Sequence, residues 1–259
     1  KDFLLSHLGH WNDAGSFYYH DPSDAQVKNG NGTYEDALLA VKADALARKI
    51  PFRYEQWDDW WMYQNGGDGT GGHGLTNWQA LPEVFPSGLT DWLGKPLSLY
   101  SSAYSGDSVY IEEGQFNWTV DPFNTGNVLP KGREFYDSMF WNGTAAGMLM
   151  FEQDFMCDIT RTTHLVNLDV HTGQEWLGAM DVAAASAQIS LQLCMINPVH
   201  ALASTKLQRL TNTRATIDSH PGNAASGVLI GLSGMLNFAV GIWPSRDNVW
   251  TNNSIDQNT

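Results

Sequence analysis

The 259 residues suffice for one large domain or two small ones with a buried core. Hydrophobic residues make up 42% and charged ones 16%, which excludes a disordered or coiled-coil chain. Lys and Arg total 14 against 28 Asp and Glu, a net charge of -14; so acidic a chain lacks the basic footprint that nucleic acid or an anionic membrane requires.

Along the chain, short apolar runs alternate with helical patterns. Residues 3–10 predict a strand. Residues 34–49 predict a helix, with Ala37, Leu38, Val41, Ala45 and Leu46 at helical spacing. Residues 50–57 and 96–100 read as strands, 133–141 as the start of a helix, and 146–152 as an apolar strand. Then come a helix over 175–186, a strand over 189–195, a helix over 199–207 and a strand over 211–217. A helix over 225–240 and a short strand over 241–243 follow. Gly, Asn and Asp cluster at 21–33, 65–74 and 121–132, which predict loops. Residues 224–243 carry no charge but include four glycines and Asn237; they read as a helix buried in a large core, not as a membrane span.

This β-α alternation implies a parallel sheet with crossover helices. A doubly wound sheet should show a Gly-rich phosphate turn after its first strand. The run Gly66-Gly67-Asp68-Gly69-Thr70-Gly71-Gly72 is followed by no helix start and no GK[ST], so it reads as an active-site loop. The expected fold is therefore α/β, a (β/α)8 TIM-like barrel formed by residues 1–259 as one domain. Residues 1–5 show neither a long apolar run nor a cleavage site. The chain reads as the core of a longer protein, about one strand-helix unit short at its C-terminal end.

In such a barrel the catalytic groups close the strands. The predicted strand ends carry His10, Trp11, Asn12 and Asp13; Trp57, Asp58, Asp59, Trp60 and Trp61; Glu152, Gln153 and Asp154; Cys194 and Met195; Asp218 and His220. Carboxylates and tryptophans recur where substrate would lie. That suits glycoside hydrolysis, whose oxocarbenium-like transition state needs one carboxylate as nucleophile and one carboxylic acid for the leaving oxygen. Trp offers an apolar face to the sugar ring.

Arg214-Ala215-Thr216-Ile217-Asp218 resembles the R-x-S-x-D element of glycoside hydrolase clan D, the α-galactosidase-like families that include raffinose synthases. Phe151-Glu152-Gln153-Asp154 stands where the clan has K-x-D. Trp57-Asp58-Asp59-Trp60-Trp61 is similar to its sugar-recognising aspartate-tryptophan element, and His7-Leu8-Gly9-His10-Trp11-Asn12-Asp13 to an early strand end. The resemblance implies Asp154 as nucleophile, Asp218 as acid/base, and Asp58, Asp59, Trp60, Trp61, Arg214, Cys194 and Trp11 as sugar contacts. It implies flanking β-domains beyond this chain and no cofactor. The clan's Lys is Glu152 here, and its Ser is Thr216. The first departure keeps open a catalytically silent structural or sugar-binding protein, and the same residues would also serve galactosyl transfer.

Four N-x-[ST] sequons, at Asn31, Asn117, Asn142 and Asn252, are glycosylation acceptors if the chain is secreted, extracellular, vacuolar or lysosomal. Cys157 and Cys194 form either one bridge or two buried thiols. No metal site is expected: His7 and His10 fall on opposite faces of the predicted strand, and there is no H-E-x-x-H. Gly231-Leu232-Ser233-Gly234 lacks the G-x-S-x-G spacing of a serine hydrolase.

Overall fold

The computed structural model describes residues 2–12, 33–65, 74–89, 94–215 and 224–245. In chain order its elements are β1 (Gly9–Asn12), α1 (Tyr34–Ala47), β2 (Tyr54–Trp57), β3 (Met62–Gln64), β4 (Leu75–Ala80), β5 (Leu97–Ser101), α2 (Val109–Glu112), β6 (Trp118–Asp121) and β7 (Asn124–Pro130). There follow α3 (Glu134–Ala145), β8 (Met148–Gln153), α4 (Met156–Thr162), α5 (Leu165–Leu168), α6 (Thr172–Ala187), β9 (Ser190–Leu193), α7 (Pro198–Ala203), β10 (Leu210–Arg214), α8 (Ala224–Ala239) and β11 (Trp243–Ser245).

Seven strands form one parallel sheet in the order β1-β2-β5-β8-β9-β10-β11. The order never reverses, so the sheet has no topological switch point of the doubly wound kind. It curls into a half-barrel. Two antiparallel hairpins, β3–β4 and β6–β7, are inserted after β2 and β5.

Alternation along the strands separates two faces. Trp57, Leu97, Leu99, Phe151, Leu191 and Leu193 belong to the apolar core, together with Phe135, Tyr136, Met139 and Phe140 of α3 and Trp176, Leu177 and Met180 of α6. The opposite, concave face carries Gln56, Ser98, Tyr100, Glu152, Gln192, Asn212 and Arg214, all buried. Barrel interiors are ordinarily filled by branched aliphatic side chains; the concave face of this half-barrel is largely polar.

Local chemistry sets the helix starts. Thr33 and Asp36 form a capping box on α1, with Thr33 N–H donating to Asp36 Oδ2 at 2.7 Å and Asp36 N–H to Thr33 Oγ1 at 3.3 Å. Asn197 caps α7, and Pro198 occupies its first turn, where no N–H is needed.

Three expectations are corrected. The strand expected over 3–10 begins only at Gly9; Leu4–Ser6 forms a 3-10 turn, with Leu4 N–H on Asp2 Oδ1 at 2.9 Å. The loop expected over 121–132 is mostly the second strand of the β6–β7 hairpin. The helix expected to lie inside a core is α8, whose Val228, Leu232, Met235 and Phe238 are each more than half exposed. Its packing is on β11, where Gly234 lies close to Pro244. None of the helices among the described residues is long and apolar enough to cross a membrane.

Candidate active site

Asp154 follows the last residue of β8 and is buried, 6% exposed. The ladder fixes it on both sides: its N–H donates to Ser101 O at 3.0 Å, and Cys194 N–H donates to Gln153 O at 2.9 Å. The next residue, Phe155, is left-handed at φ 55°. A bulky side chain rarely adopts that conformation. It turns the Phe155 N–H back onto Asp154 Oδ1 at 2.6 Å. Met195, directly after Cys194, is also left-handed, at φ 53°. Two strand ends at the same rim thus carry backbone strain.

The side-chain shell of Asp154 comes from neighbouring strands. Tyr100 of β5 donates its hydroxyl to Oδ2 at 3.2 Å. Cys194 favours the charged form of the same carboxylate, and Arg214 of β10 donates Nη1–H to Cys194 Sγ at 2.7 Å. Arg214, Cys194 and Asp154 thus stand side by side at the ends of β10, β9 and β8. Burial pushes the Asp154 carboxyl above the ordinary carboxylate range; the Arg214 charge, then Cys194, the Phe155 amide and Tyr100 pull the other way. Tyr100 is pushed well above its ordinary value, first by burial and then by the charges of Asp154, Asp58 and Asp59. Those aspartates, after β2, thus lie within electrostatic reach of the same phenol.

One layer deeper, Glu152 shares the face of Asp154 because the two are two residues apart on a strand. Its Oε2 accepts from Gln56 Nε2 at 2.5 Å and its Oε1 from Gln192 Nε2 at 3.0 Å. The carboxylate standing in the place of the clan's Lys is thus held by an amide from the strand on each side.

The other expected site residues divide. Asp58 is buried, and its Oδ1 accepts the Asp59 N–H at 2.8 Å, while Asp59 O accepts Gln64 Nε2 at 2.7 Å. Trp11 pairs with Gln56 across β1 and β2, is partly exposed, and its buried indole N–H finds no partner among the described residues. Trp60 and Trp61 are corrected: they are not sugar platforms. Trp60 stacks on Tyr34 at 4.8 Å and packs against Phe85, and Trp61 is fully buried edge-on to Trp78. Core packing, not substrate, takes these rings. Asp218, Asp13, His220 and the glycine run 66–72 lie outside the described residues.

Cys157 and Cys194 are two separate thiols. Cys157 turns to Asp158 Oδ2, at 3.3 Å, while Cys194 turns to Arg214. Asn117 and Asn142 are both exposed; Asn31 and Asn252 lie outside the described residues. No group of three His, Cys, Asp or Glu side chains gathers as a metal site among the described residues. Tyr100, Gln56 and Gln192 are site residues that motif reading passed over. The signal for Tyr100 was the alternation Leu97-Ser98-Leu99-Tyr100, and for Gln192 the alternation Ser190-Leu191-Gln192-Leu193, in which every second residue is polar.

No family model matches the chain, and no curated protein matches it.

Proposed function

We propose that the chain is the catalytic core of a retaining glycoside hydrolase for α-galactoside-like sugars, on a (β/α)8 barrel. The observation that carries this reading is the setting of Asp154: a buried carboxylate at a strand end, oriented by a phenol, an amide and a thiol, with a guanidinium next in line. Asp154 attacks the anomeric carbon as the glycosidic C–O bond breaks. Asp218 protonates the leaving oxygen and then takes a proton from the water that releases the sugar. Asp58 and Arg214 hold hydroxyls, and Trp11 supplies the apolar face. The protein is secreted, extracellular or vacuolar and carries glycans at Asn117 and Asn142. A retaining mechanism requires about 5–5.5 Å between the Asp154 and Asp218 carboxyls, against about 6.5–9.5 Å for an inverting one.

The test is turnover of an aryl α-galactoside, with the anomer of the product read by NMR. Native chain that turns over with retention, and Asp154→Asn that does not, supports the reading. Turnover that survives Asp154→Asn refutes it. Native chain that binds sugar without turnover favours the silent sugar-binding protein, which the Glu152 network motivates. Product formed on an added acceptor sugar marks galactosyl transfer by the same residues.

A further inference from the structure

A separate cavity of about 250 Å³ opens at the same end of the sheet, between the segments after β8 and β9 and the inner side of α8. Met195, Ile196, Leu229 and Leu236 give it apolar walls; Cys157, Ser233 and Asn237 line it too, and Arg214 is shared with the Asp154 site. Asn237 is 1% exposed, and neither its Nδ2 nor its Oδ1 finds a hydrogen-bond partner among the described residues. Its backbone is satisfied: Asn237 O accepts from Ile242 N–H at 2.9 Å and Val240 N–H at 3.2 Å. A buried amide with both ends unmet is rare in native proteins and disfavours folding. Asn is also a poor residue for a helix interior, where Leu of similar size is a good one. The chain thus carries two penalties at one position, on the wall of an open cavity.

We propose that this cavity binds a small neutral molecule with an apolar body and a single primary-amide-like group. That group donates to Asn237 Oδ1 and accepts from Asn237 Nδ2, forming a paired amide contact. A monosaccharide suits the site less, because Met195, Ile196, Pro198, Ala215, Leu229 and Leu236 cover much of the wall and leave too few polar partners for a full ring of hydroxyls. A carboxylate suits it less too: Arg214 on the wall is already engaged by Cys194 at 2.7 Å and by the charge of Asp154, and an acceptor-only group leaves Asn237 Oδ1 unmet. The site is independent of whether Asp154 cleaves a glycoside.

Isobutyramide, with isobutyrate as its acceptor-only counterpart, tests this by titration calorimetry on the full chain. Protection of Cys157 from methyl methanethiosulfonate at alkaline pH, localised by mass spectrometry, is the second readout. Alkaline conditions are needed because burial and the neighbouring Asp158 push the Cys157 thiol up to about 11. The expected results are millimolar binding of isobutyramide, several-fold slower Cys157 modification, and much weaker binding of isobutyrate. Asn237→Leu should raise Tm and weaken isobutyramide about ten-fold, the scale of one lost hydrogen-bonded pair. Ser233→Phe, which fills the cavity but keeps Asn237, should abolish binding. No binding to the native chain, equal binding of isobutyrate, unchanged affinity in Asn237→Leu, or retained binding in Ser233→Phe each overturns the proposal.

Discussion

Replacing Gln192 by Leu removes one donor from a carboxylate that is 1% exposed. Glu152 Oε1 then loses the 3.0 Å bond from Gln192 Nε2, while Oε2 keeps the 2.5 Å bond from Gln56. Leaving one oxygen of a buried carboxyl group without its partner costs about 1–3 kcal/mol. In a chain of this size each kcal/mol shifts Tm by about 2–4 °C, so Gln192→Leu should lower Tm by about 2–12 °C. Gln56→Leu should do the same. The stronger expectation concerns the triple replacement Gln56→Leu, Glu152→Leu and Gln192→Leu. It removes donors and acceptor together and leaves an aliphatic patch on the concave face, so it should recover most or all of the loss seen in either single variant. Thermal unfolding followed by circular dichroism, with urea midpoints at unchanged m, measures all four variants. Single variants as stable as the native chain, or a triple variant less stable than both, would refute the reasoning that Gln56 and Gln192 hold the buried Glu152 in place.

Four further outcomes follow from the same geometry. Asp154 in the native chain holds its proton more tightly than in the unfolded chain, so it weakens folding as pH rises from the ordinary carboxylate range through its raised native value. Asp154→Asn should therefore be more stable than the native chain at neutral pH, and the difference should vanish in acid; urea titrations across pH measure it. Tyr100→Phe removes the 3.2 Å bond to Asp154, and a loss of about 1.5–3 kcal/mol in the transition state would lower kcat/KM roughly 10- to 150-fold. It should also move the acid limb of the pH-rate profile to higher pH. Burial pushes His200 down from 6.5 to about 4, so the unfolded chain binds the extra proton between those values and stability falls as pH drops through that window. The loss is on the order of 3 kcal/mol, and a His200→Gln variant should lack it in acid denaturation. Trp60→Ala should cost about 3–5 kcal/mol of stability as a core truncation, whereas Trp11→Ala should spare stability and weaken sugar binding, as calorimetry with galactose would show.

The strand β8 was legible as the apolar run Met148-Leu149-Met150-Phe151, and β2, β5, β9 and β10 as short segments set between predicted helices and loops; the β-α alternation led to a parallel sheet. The first strand was misplaced because Leu4 and Leu5 look extended in sequence, while Asp2 and Phe3 fold them into a capped 3-10 turn. The β6–β7 hairpin was hidden by its Asn, Gly and Thr content. Hydropathy identified α8 as a helix but carries no information about what covers it. Asp154 was legible as the carboxylate that closes an apolar strand. Trp60 and Trp61 were misread because a tryptophan beside an aspartate looks the same whether it turns outward or inward. Tyr34 and Phe85 decide that orientation for Trp60, and Trp78 for Trp61, all distant in the chain.

The amide-and-carboxylate lining of the concave face also bears on how stability responds to temperature. Exposing apolar surface raises the heat capacity of unfolding by about 0.45 cal/K/mol per Å², whereas exposing polar surface lowers it by about 0.26. A sheet interior built from Gln56, Ser98, Tyr100, Glu152, Gln192 and Asn212 therefore contributes less heat-capacity change than an aliphatic one. The stability curve should be flatter than that of a barrel with an oily interior, with a wider span between cold and heat denaturation for the same maximum.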